Sequence, residues 1–302
     1  MGKKRVLQMD ANARAHLLDT AFEEFIAEKE AKNLAPSTLR CYRQSYNYFT
    51  DFIEDALDEE EVSCDMVEQR IVFRWMNTMN NSGLKPASVN HFLRDVRTFL
   101  NWCMDSSREY IKPTFKVEMV RGQEESLKIY TAEEQKALIE RPDRRNVMSG
   151  EWRTWAIVNW ILATGNRAST VCNVKLEDLN FARREINLRH TKNKKAQTIP
   201  MSTALETVLK EWIRKFRANA QPSDYLFPNV SNEKLTTNAM RLAFERYAEA
   251  RGVNHANIHG LRHTFAREYI LNNGNTFALQ KLLGHKTVAM TQRYVTLFSD
   301  DI

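Results

Sequence analysis

The chain has 302 residues, 43% of them hydrophobic and 27% charged, which is enough to bury the cores of two domains. No apolar run approaches the ~20 residues of a membrane helix, and the polar start MGKKRVLQMDANARAH does not have the apolar core of a secretory signal. The four cysteines are scattered, without the paired spacing of a zinc site or a disulfide framework. We therefore expect reduced thiols, no metal and no membrane association in a cytoplasmic protein.

The charges are distributed unevenly along the chain. Residues 1–120 hold 16 Lys and Arg against 19 Asp and Glu, whereas residues 121–302 hold 28 against 19. An excess of cations in the second part suits a surface that neutralises phosphates and releases their counterions. Charge alone does not distinguish such a surface from solvated lysines that keep a protein soluble.

The first part of the chain has the pattern of an all-helical domain. Apolar residues recur at helical intervals in four segments, 14–30, 38–53, 65–80 and 85–102. Periodicity is lost from residue 106, where Pro, Gly and charged residues are mixed. We therefore predict a helical domain over residues 1–112 and a linker over 113–130.

Residues 131–302 are predicted to form a second, mostly helical domain. Thr131 and Glu134 have the spacing of a capping box, and a tryptophan-rich helix is expected over residues 151–163. Two β-favouring runs, 185–191 and 196–201, predict an antiparallel hairpin whose tip, 192–195, is basic. The remaining predicted helices cover residues 202–218, 236–251, 260–272, 276–283 and 287–296. The fold class is therefore mainly α, with a small antiparallel sheet in the second domain.

Several residues of the second domain have the chemistry of a phosphate site. Arg167 follows TGN at a helix end, and His259 and Arg262 lie three residues apart, on one face of a helix. Guanidinium groups match phosphate oxygens with a fork of donors and can stabilise charge on a pentavalent transition state. His285 follows Gly284, which suits a left-handed helix end. Taken singly, each arginine is more often a surface residue and each histidine more often a cap or a core residue.

Tyr294 is the candidate nucleophile. Most tyrosines pack their ring and leave the hydroxyl in water, so a catalytic role requires the loss of a proton whose pKa is ordinarily ~10. The proton would pass to a base or be lost in the field of the arginines. A lysine of the hairpin tip can act as general acid for a leaving alkoxide. The sequence has neither an HExxH motif nor a GxxxxGK[ST] loop, so we expect no metal and no nucleotide cofactor.

Five motifs, in this order, resemble the tyrosine recombinase (phage integrase) family of site-specific DNA recombinases. They are TGNRAS, TKNKKAQTIPM, HGLRH, LLGHKT and TQRY, and they contain Arg167, Lys192, His259, Arg262, His285 and Tyr294. The nine-residue interval between the last two of these residues also fits the family pattern. The first domain, with NLAPSTLRCYRQSYNYFTDF, looks like the SAM-like core-binding domain of the family. The resemblance thus covers nearly the whole chain.

The resemblance implies a role for each of these residues. Tyr294 would attack the scissile phosphate, form a 3′-phosphotyrosyl link and free a 5′-hydroxyl group. Arg167 and Arg262 would clamp the phosphate. His259 and His285 would hydrogen-bond it and assist proton movement. The enzyme would thus cut and rejoin DNA for integration, excision or resolution.

The resemblance also implies a general acid and partners. Lys192 would protonate the leaving 5′-oxygen, with Lys194 and Lys195 as alternatives in the same hairpin tip. Because the covalent link stores the bond energy, neither ATP nor a metal is implied. The expected partners are double-stranded DNA with specific recombination sites, further copies of the chain in a homotetramer, and accessory DNA-bending or directionality proteins. The expected setting is the nucleoid of a bacterium, in a bacterial or phage-encoded protein.

Three features depart from the family pattern. Thr170 occupies a position that is usually acidic, only eight residues follow Tyr294, and no room is left before the first helix for a separate arm-type DNA-binding domain. Two other functions remain open from the sequence. One is a DNA-binding relative with impaired catalysis, which Thr170 favours and the complete residue set opposes. The other is a type IB topoisomerase, which relaxes one duplex and does not exchange strands between two.

Overall fold

The computed structural model describes residues 16–112, 115–122, 127–143, 148–189, 196–254, 256–285 and 287–298, with only the backbone of Arg293 and Leu297. The chain divides into two compact units, Met1–Glu124 and Glu125–Ile302, and the division falls within the predicted linker 113–130. Over the described ranges, no helix is both long enough and apolar enough to cross a membrane. The four cysteines are free thiols, as predicted.

The first unit contains the four predicted helices. They are α1 (Leu18–Ala31), α2 (Pro36–Leu57), α3 (Gln69–Asn81) and α4 (Pro86–Cys103). Pro36 and Pro86 are the first residues of their helices, where a missing N–H costs nothing because it would have no partner in the helix. A single 3₁₀ turn, Cys64–Met66, precedes α3.

The core of the first unit is aromatic. Phe22 stacks on Tyr46 with ring centroids 3.7 Å apart, and Phe25 packs edge-on against Phe99 at 5.5 Å. The Tyr46 hydroxyl donates to Asp19 Oδ1 at 2.5 Å, so the polar end of this buried ring is also satisfied. The apolar stripes read from the sequence therefore meet in one core.

The second unit is mostly helical around a small sheet, so the predicted fold class is confirmed. Its helices are α5 (Ala132–Ile139), α6 (Ser149–Thr164), α7 (Ala168–Val171), α8 (Thr203–Phe216), α9 (Thr237–Glu249), α10 (Ile258–Leu271), α11 (Thr276–Leu283) and α12 (Val288–Phe298). The antiparallel strands, in the order β1-β2-β3, are β1 (Leu179–Asn180), β2 (Glu185–Leu188) and β3 (Gln197–Pro200). β2 and β3 form the predicted hairpin, with Glu185 opposite Pro200 and Leu188 opposite Gln197.

The predicted capping box is present at the start of α5, where Thr131 and Glu134 accept from each other's backbone N–H. Three short elements were missed by the prediction: the two-residue strand β1, the single-turn helix α7 and a 3₁₀ turn, Leu176–Asp178. Elements this short contain too few residues to show a period. The last two residues of the first predicted strand, 190–191, and the whole predicted tip, 192–195, lie outside the described residues.

Helix α6 is the central element of the second unit. It packs against α8, α9 and α10, and its tryptophans are buried on several faces of the helix. The indole N–H of Trp155 donates to Ile139 O, and that of Trp160 donates to Asn166 Oδ1, both at 2.9 Å. Since Asn166 follows the end of α6, this second bond fixes the turn that leads to Arg167.

Helices α10, α11 and α12 enclose a smaller apolar cluster. Its buried members are Ala266, Ile270, Leu279, Leu283, Tyr294 and Phe298. The segment before α5 packs on the same cluster, and the backbone N–H of Tyr130 donates to Thr264 Oγ1 of α10 at 2.9 Å. Helices α10 and α12, which carry His259, Arg262 and Tyr294, are thus held in place by packing against α11 and the segment before α5.

Candidate active site

Arg262 is the most enclosed of the candidate residues. It projects from α10, and only 2% of it is exposed. Its Nη1 donates to Gly165 O at 2.6 Å, and its Nη2 donates to Leu283 O at 2.9 Å. Gly165 caps the C-terminal end of α6, and Leu283 is the last residue of α11, so both carbonyls lie at the negative ends of helices. Two helix ends therefore hold the guanidinium group in place.

Gly165 is required by this arrangement. Its φ of +64° is in the left-handed region, which suits glycine at a helix end. A Cβ atom at this position would lie 2.3 Å from the Phe265 ring and 2.7 Å from a Leu283 methyl group. The backbone can therefore bring the Gly165 carbonyl to Arg262 only when this residue has no side chain.

Arg167 lies beside Arg262, at the start of α7. It is partly buried, and its Nη1 donates to the same Leu283 carbonyl at 3.4 Å. Burial lowers the pKa of Arg167 below its ordinary value, and burial followed by the Arg167 charge lowers that of Arg262 to about 10. A pKa near 10 still leaves Arg262 cationic at neutral pH.

Among the described residues, no carboxylate neutralises these two cations. Neither Arg167 nor Arg262 has an acidic side chain there among its ion-pair or charge partners. Thr170, at the position that the family usually fills with an acid, is buried and donates its backbone N–H to Arg167 O at 2.9 Å. The positive charge thus remains available to an anion from outside.

His285 supports Arg262 from the other side. Its Nε2 lies 2.8 Å from Arg262 Nη2, and its Nδ1 lies 2.8 Å from Oγ1 of the fully buried Thr291. Because a guanidinium group can only donate, Nε2 must accept, so the ring carries its hydrogen on Nδ1 and is neutral. Burial, followed by the charges of Arg262 and Arg167, lowers the pKa of His285 to about 4, in agreement with this assignment. The predicted left-handed conformation of Gly284 is confirmed, at a φ of 61°.

Tyr294 faces the same cluster from α12. Only 7% of it is exposed, and its ring stacks nearly parallel to that of His285 at 6.0 Å. Its hydroxyl oxygen lies 2.8 Å from His263 Nδ1, and Tyr294 lines the same cleft as Arg262. A tyrosine hydroxyl beside an imidazole nitrogen and a guanidinium group is placed to act as a nucleophile.

Among the described candidate residues, His259 is the most exposed. It lies on the same face of α10 as Arg262, as predicted, and its ring meets His263 edge-on at 4.7 Å. Desolvation, followed by the charges of Arg262 and Arg167, lowers the pKa of His259 below its ordinary value. Its ring lies at the rim of the site.

These side chains line one cleft of about 220 Å³. The lining residues are Leu127, Arg167, His259, Arg262, His263, His285, Met290 and Tyr294. The structure therefore brings together every candidate residue except Lys192, which lies outside the described residues. Over the part of the chain that is described, no group of three His, Cys, Asp or Glu side chains is arranged to hold a metal ion.

Two residues of the cluster were not identified from the sequence. His263 follows Arg262 in the HGLRH motif and lies four residues after His259, a spacing that places both rings on one helix face. That spacing was a usable signal. Thr291 offered none, because its contact with His285 depends on the turn between α11 and α12 and not on a sequence period.

A model of the phage integrase family matches residues 128–300 of this chain. The tyrosine recombinase XerD of Listeria innocua is 23% identical over 285 residues, covering 92% of this chain and 93% of that protein. The tyrosine recombinase XerC of Staphylococcus aureus is 24% identical over 268 residues, covering 88% of each.

Solved structures share the fold at low sequence identity. The Tn1549 transposon integrase in complex with a circular intermediate DNA has a TM-score of 0.74 and 17% identity, over 92% of this chain and 94% of that chain. A λ integrase tetramer bound to a Holliday junction has a TM-score of 0.72 and 16% identity, over 93% of this chain and 78% of that chain. Together with the family match over more than half of the sequence, the clustered motifs lead to one assignment. The chain belongs to the phage integrase family, and it is a tyrosine recombinase.

Proposed function

We propose that this protein is a site-specific DNA recombinase that cuts and rejoins strands through a 3′-phosphotyrosyl link to Tyr294. One observation carries the proposal: the Tyr294 hydroxyl lies in a cleft with two guanidinium groups that have no carboxylate partner among the described residues. A phosphodiester entering this cleft would meet uncompensated positive charge beside a poised nucleophile.

The cleavage step follows from this geometry. The Tyr294 oxygen bonds to phosphorus, and the bond from phosphorus to the 5′-oxygen breaks. Arg167 and Arg262 stabilise the charge that builds on the non-bridging oxygens. His259 donates a hydrogen bond to one of these oxygens from the rim of the cleft. His285, whose two ring nitrogens are already engaged, acts by holding Arg262.

Lys192 is proposed as the general acid that protonates the leaving 5′-oxygen. This role is carried over from the hairpin motif, because the residue lies outside the described part of the chain. The pairing of β2 with β3 supports this assignment, because Lys192 lies between these two strands in the sequence. Religation would run the same steps in reverse, with a 5′-hydroxyl from another strand as the attacking group.

The partner is proposed to be double-stranded DNA, engaged by four copies of the chain. The solved relatives of this fold include a λ integrase tetramer on a Holliday junction and XerH bound to its difH substrate. The basic balance of residues 121–302 is consistent with contacts to phosphates. Strand exchange between two duplexes, and not relaxation of one, is the activity we expect.

The test is the capture of a covalent adduct. Duplexes selected by binding from a random pool would be rebuilt with a nick near the protected centre, so that the short 5′-hydroxyl strand diffuses away after cleavage. Wild-type protein should accumulate an adduct that is stable to denaturation. Tyr294→Phe should bind the same duplex and form none.

Two results would contradict the proposal. An adduct that persists in Tyr294→Phe would show that Tyr294 is not the nucleophile. Relaxation of a supercoiled plasmid carrying the selected sequence, without recombinant products from two such plasmids, would favour a topoisomerase.

A further inference from the structure

His263 contacts the nucleophile Tyr294 but has no role in the cleavage step proposed so far. His263 Nδ1 lies 2.8 Å from the Tyr294 hydroxyl oxygen, within hydrogen-bond distance, and the two ring centroids are 5.6 Å apart. His263 lines the same cleft as the two arginines. A nucleophilic tyrosine must lose its proton as it attacks, so an imidazole nitrogen at this distance is placed to receive it.

The direction of this contact depends on the tautomer of His263. A hydroxyl group can donate to an imidazole nitrogen that carries no hydrogen, or accept from one that does. Loss of the Tyr294 proton to His263 requires the first arrangement, with Nδ1 unprotonated and the ring hydrogen on Nε2. In this tautomer His263 can act as a base.

The other two histidines of the cleft are less suited to this task. His285 stacks on the Tyr294 ring, and its Nε2 and Nδ1 are occupied by Arg262 and Thr291. His259 contacts His263 edge-on at 4.7 Å and lies nearer to solvent, so it is placed to pass a proton onward.

We propose that His263 is the general base that accepts the Tyr294 proton during strand cleavage, an inference that rests on the proposed recombinase function. The O–H bond of Tyr294 breaks as its oxygen bonds to phosphorus, and the proton moves to His263 Nδ1. The phosphorus bond to the 5′-oxygen breaks, and that oxygen takes its proton from the general acid. In religation, protonated His263 returns the proton to the departing tyrosine oxygen.

Cationic and titratable side chains surround His263 in the cleft. The charged and titratable groups that line the cleft with His263 are Arg262 and His259 on its own helix, Arg167 before α7, His285 after α11 and Tyr294 on α12. Arg262 and Arg167 oppose a further positive charge, so the protonated ring is formed chiefly as negative charge builds on the phosphate. Proton transfer and attack are thereby coupled.

The test compares His263→Asn with wild type in single-turnover cleavage of the selected nicked duplex, from pH 5 to pH 9. The asparagine side-chain oxygen lies close to the position of Nδ1 and can still accept from Tyr294, but an amide takes up no proton in this range. The expected result is a cleavage rate lower by roughly 10²-fold at neutral pH. The wild-type fall in rate toward low pH should be absent in the variant.

A substrate with a 5′-bridging sulfur separates the base from the general acid, because a thiolate leaves without protonation. This substrate should restore cleavage by the control variant Lys192→Ala and leave His263→Asn slow. Restoration of His263→Asn would overturn the proposal, since the residue would then act on the leaving group.

Two further outcomes would also overturn it. One is a wild-type rate in His263→Asn. The other is a lower rate that keeps the wild-type pH profile, which would show a positioning role only. Failure of the recombinase proposal is distinguishable, because wild-type protein would then form no Tyr294-dependent adduct at any pH.

Discussion

Two arginine side chains, Arg108 in the first unit and Arg262 in the second, are held in opposite ways. In the first unit, Arg108 donates to Glu28 at 2.6 Å, and its guanidinium carbon lies 4.2 Å from the centre of the Trp102 ring. Glu28 also accepts from Trp102 Nε1 at 2.7 Å and from Lys32. In the second unit, Arg262 is more deeply buried and has two carbonyl oxygens and a neutral imidazole as partners.

The difference separates a structural ion pair from a prepared anion site. A carboxylate neutralises Arg108 and leaves little attraction for another anion. Backbone carbonyls and a neutral ring orient Arg262 without cancelling its charge, which costs stability and favours a phosphate. The cleft thus carries an unfavourable buried charge that its substrate would relieve.

Arg262→Lys should nearly abolish cleavage. Lysine keeps the charge but cannot reach Gly165 O, Leu283 O and a phosphate with one planar fork. The single-turnover rate should fall by about 10²–10³-fold, as for the loss of one oriented donor to a transition state. Arg108→Lys is the matched control and should cleave at the wild-type rate. Equal losses in both variants would remove the distinction between the two regions.

His285→Gln should weaken the pH dependence of stability. The pKa of His285 is lowered to about 4 in the folded chain, against an ordinary value near 6.5. The unfolded chain therefore takes up a proton as the pH falls below about 6.5, whereas the folded chain does not until about pH 4, so stability is lost across this window.

The wild type should lose on the order of 2 kcal/mol more than His285→Gln between pH 7 and pH 4, measured by denaturant unfolding. His91→Gln, at a histidine of α4, serves as the control. An identical pH dependence in wild type and His285→Gln would contradict the assignment of a neutral ring.

Glu28→Gln should affect stability alone. Hydrogen bonds from Lys32 and Trp102 lower the pKa of Glu28 to about 2, so the carboxylate contributes at neutral pH and its contribution is lost only as the pH falls toward 2. The substitution should cost about 1 kcal/mol of unfolding free energy at pH 7, read from the urea midpoint. A change in the cleavage rate at saturating DNA would show that this pair is not merely structural.

Much of this fold follows from periodic patterns. The stripes of α1–α4 and the buried α6 are long enough for apolar spacing to define them, and the hairpin is marked by two β-favouring runs around a basic tip. The candidate side chains could be named because five motifs, in order, resemble those of the tyrosine recombinase family.

The contacts that orient those side chains could not be read from the sequence. Arg262 is held by main-chain oxygens of Gly165 and Leu283, and every residue has such an oxygen, so no residue type marks the partner. The pairing of His285 with Thr291 likewise depends on how α12 turns back after Gly284. Tertiary packing decides which of these groups come into contact, and the periodicity of the sequence does not predict such contacts.

The left-handed turn at Gly165 limits which residues this position can hold. A methyl group at this position would meet Phe265 and Leu283, and Leu283 supplies the second carbonyl that holds Arg262. A single added carbon would therefore disturb both main-chain oxygens of the arginine at once, although glycine has no functional group. In a mutational scan of this enzyme, residue 165 should be as intolerant of replacement as the residues that perform the chemistry.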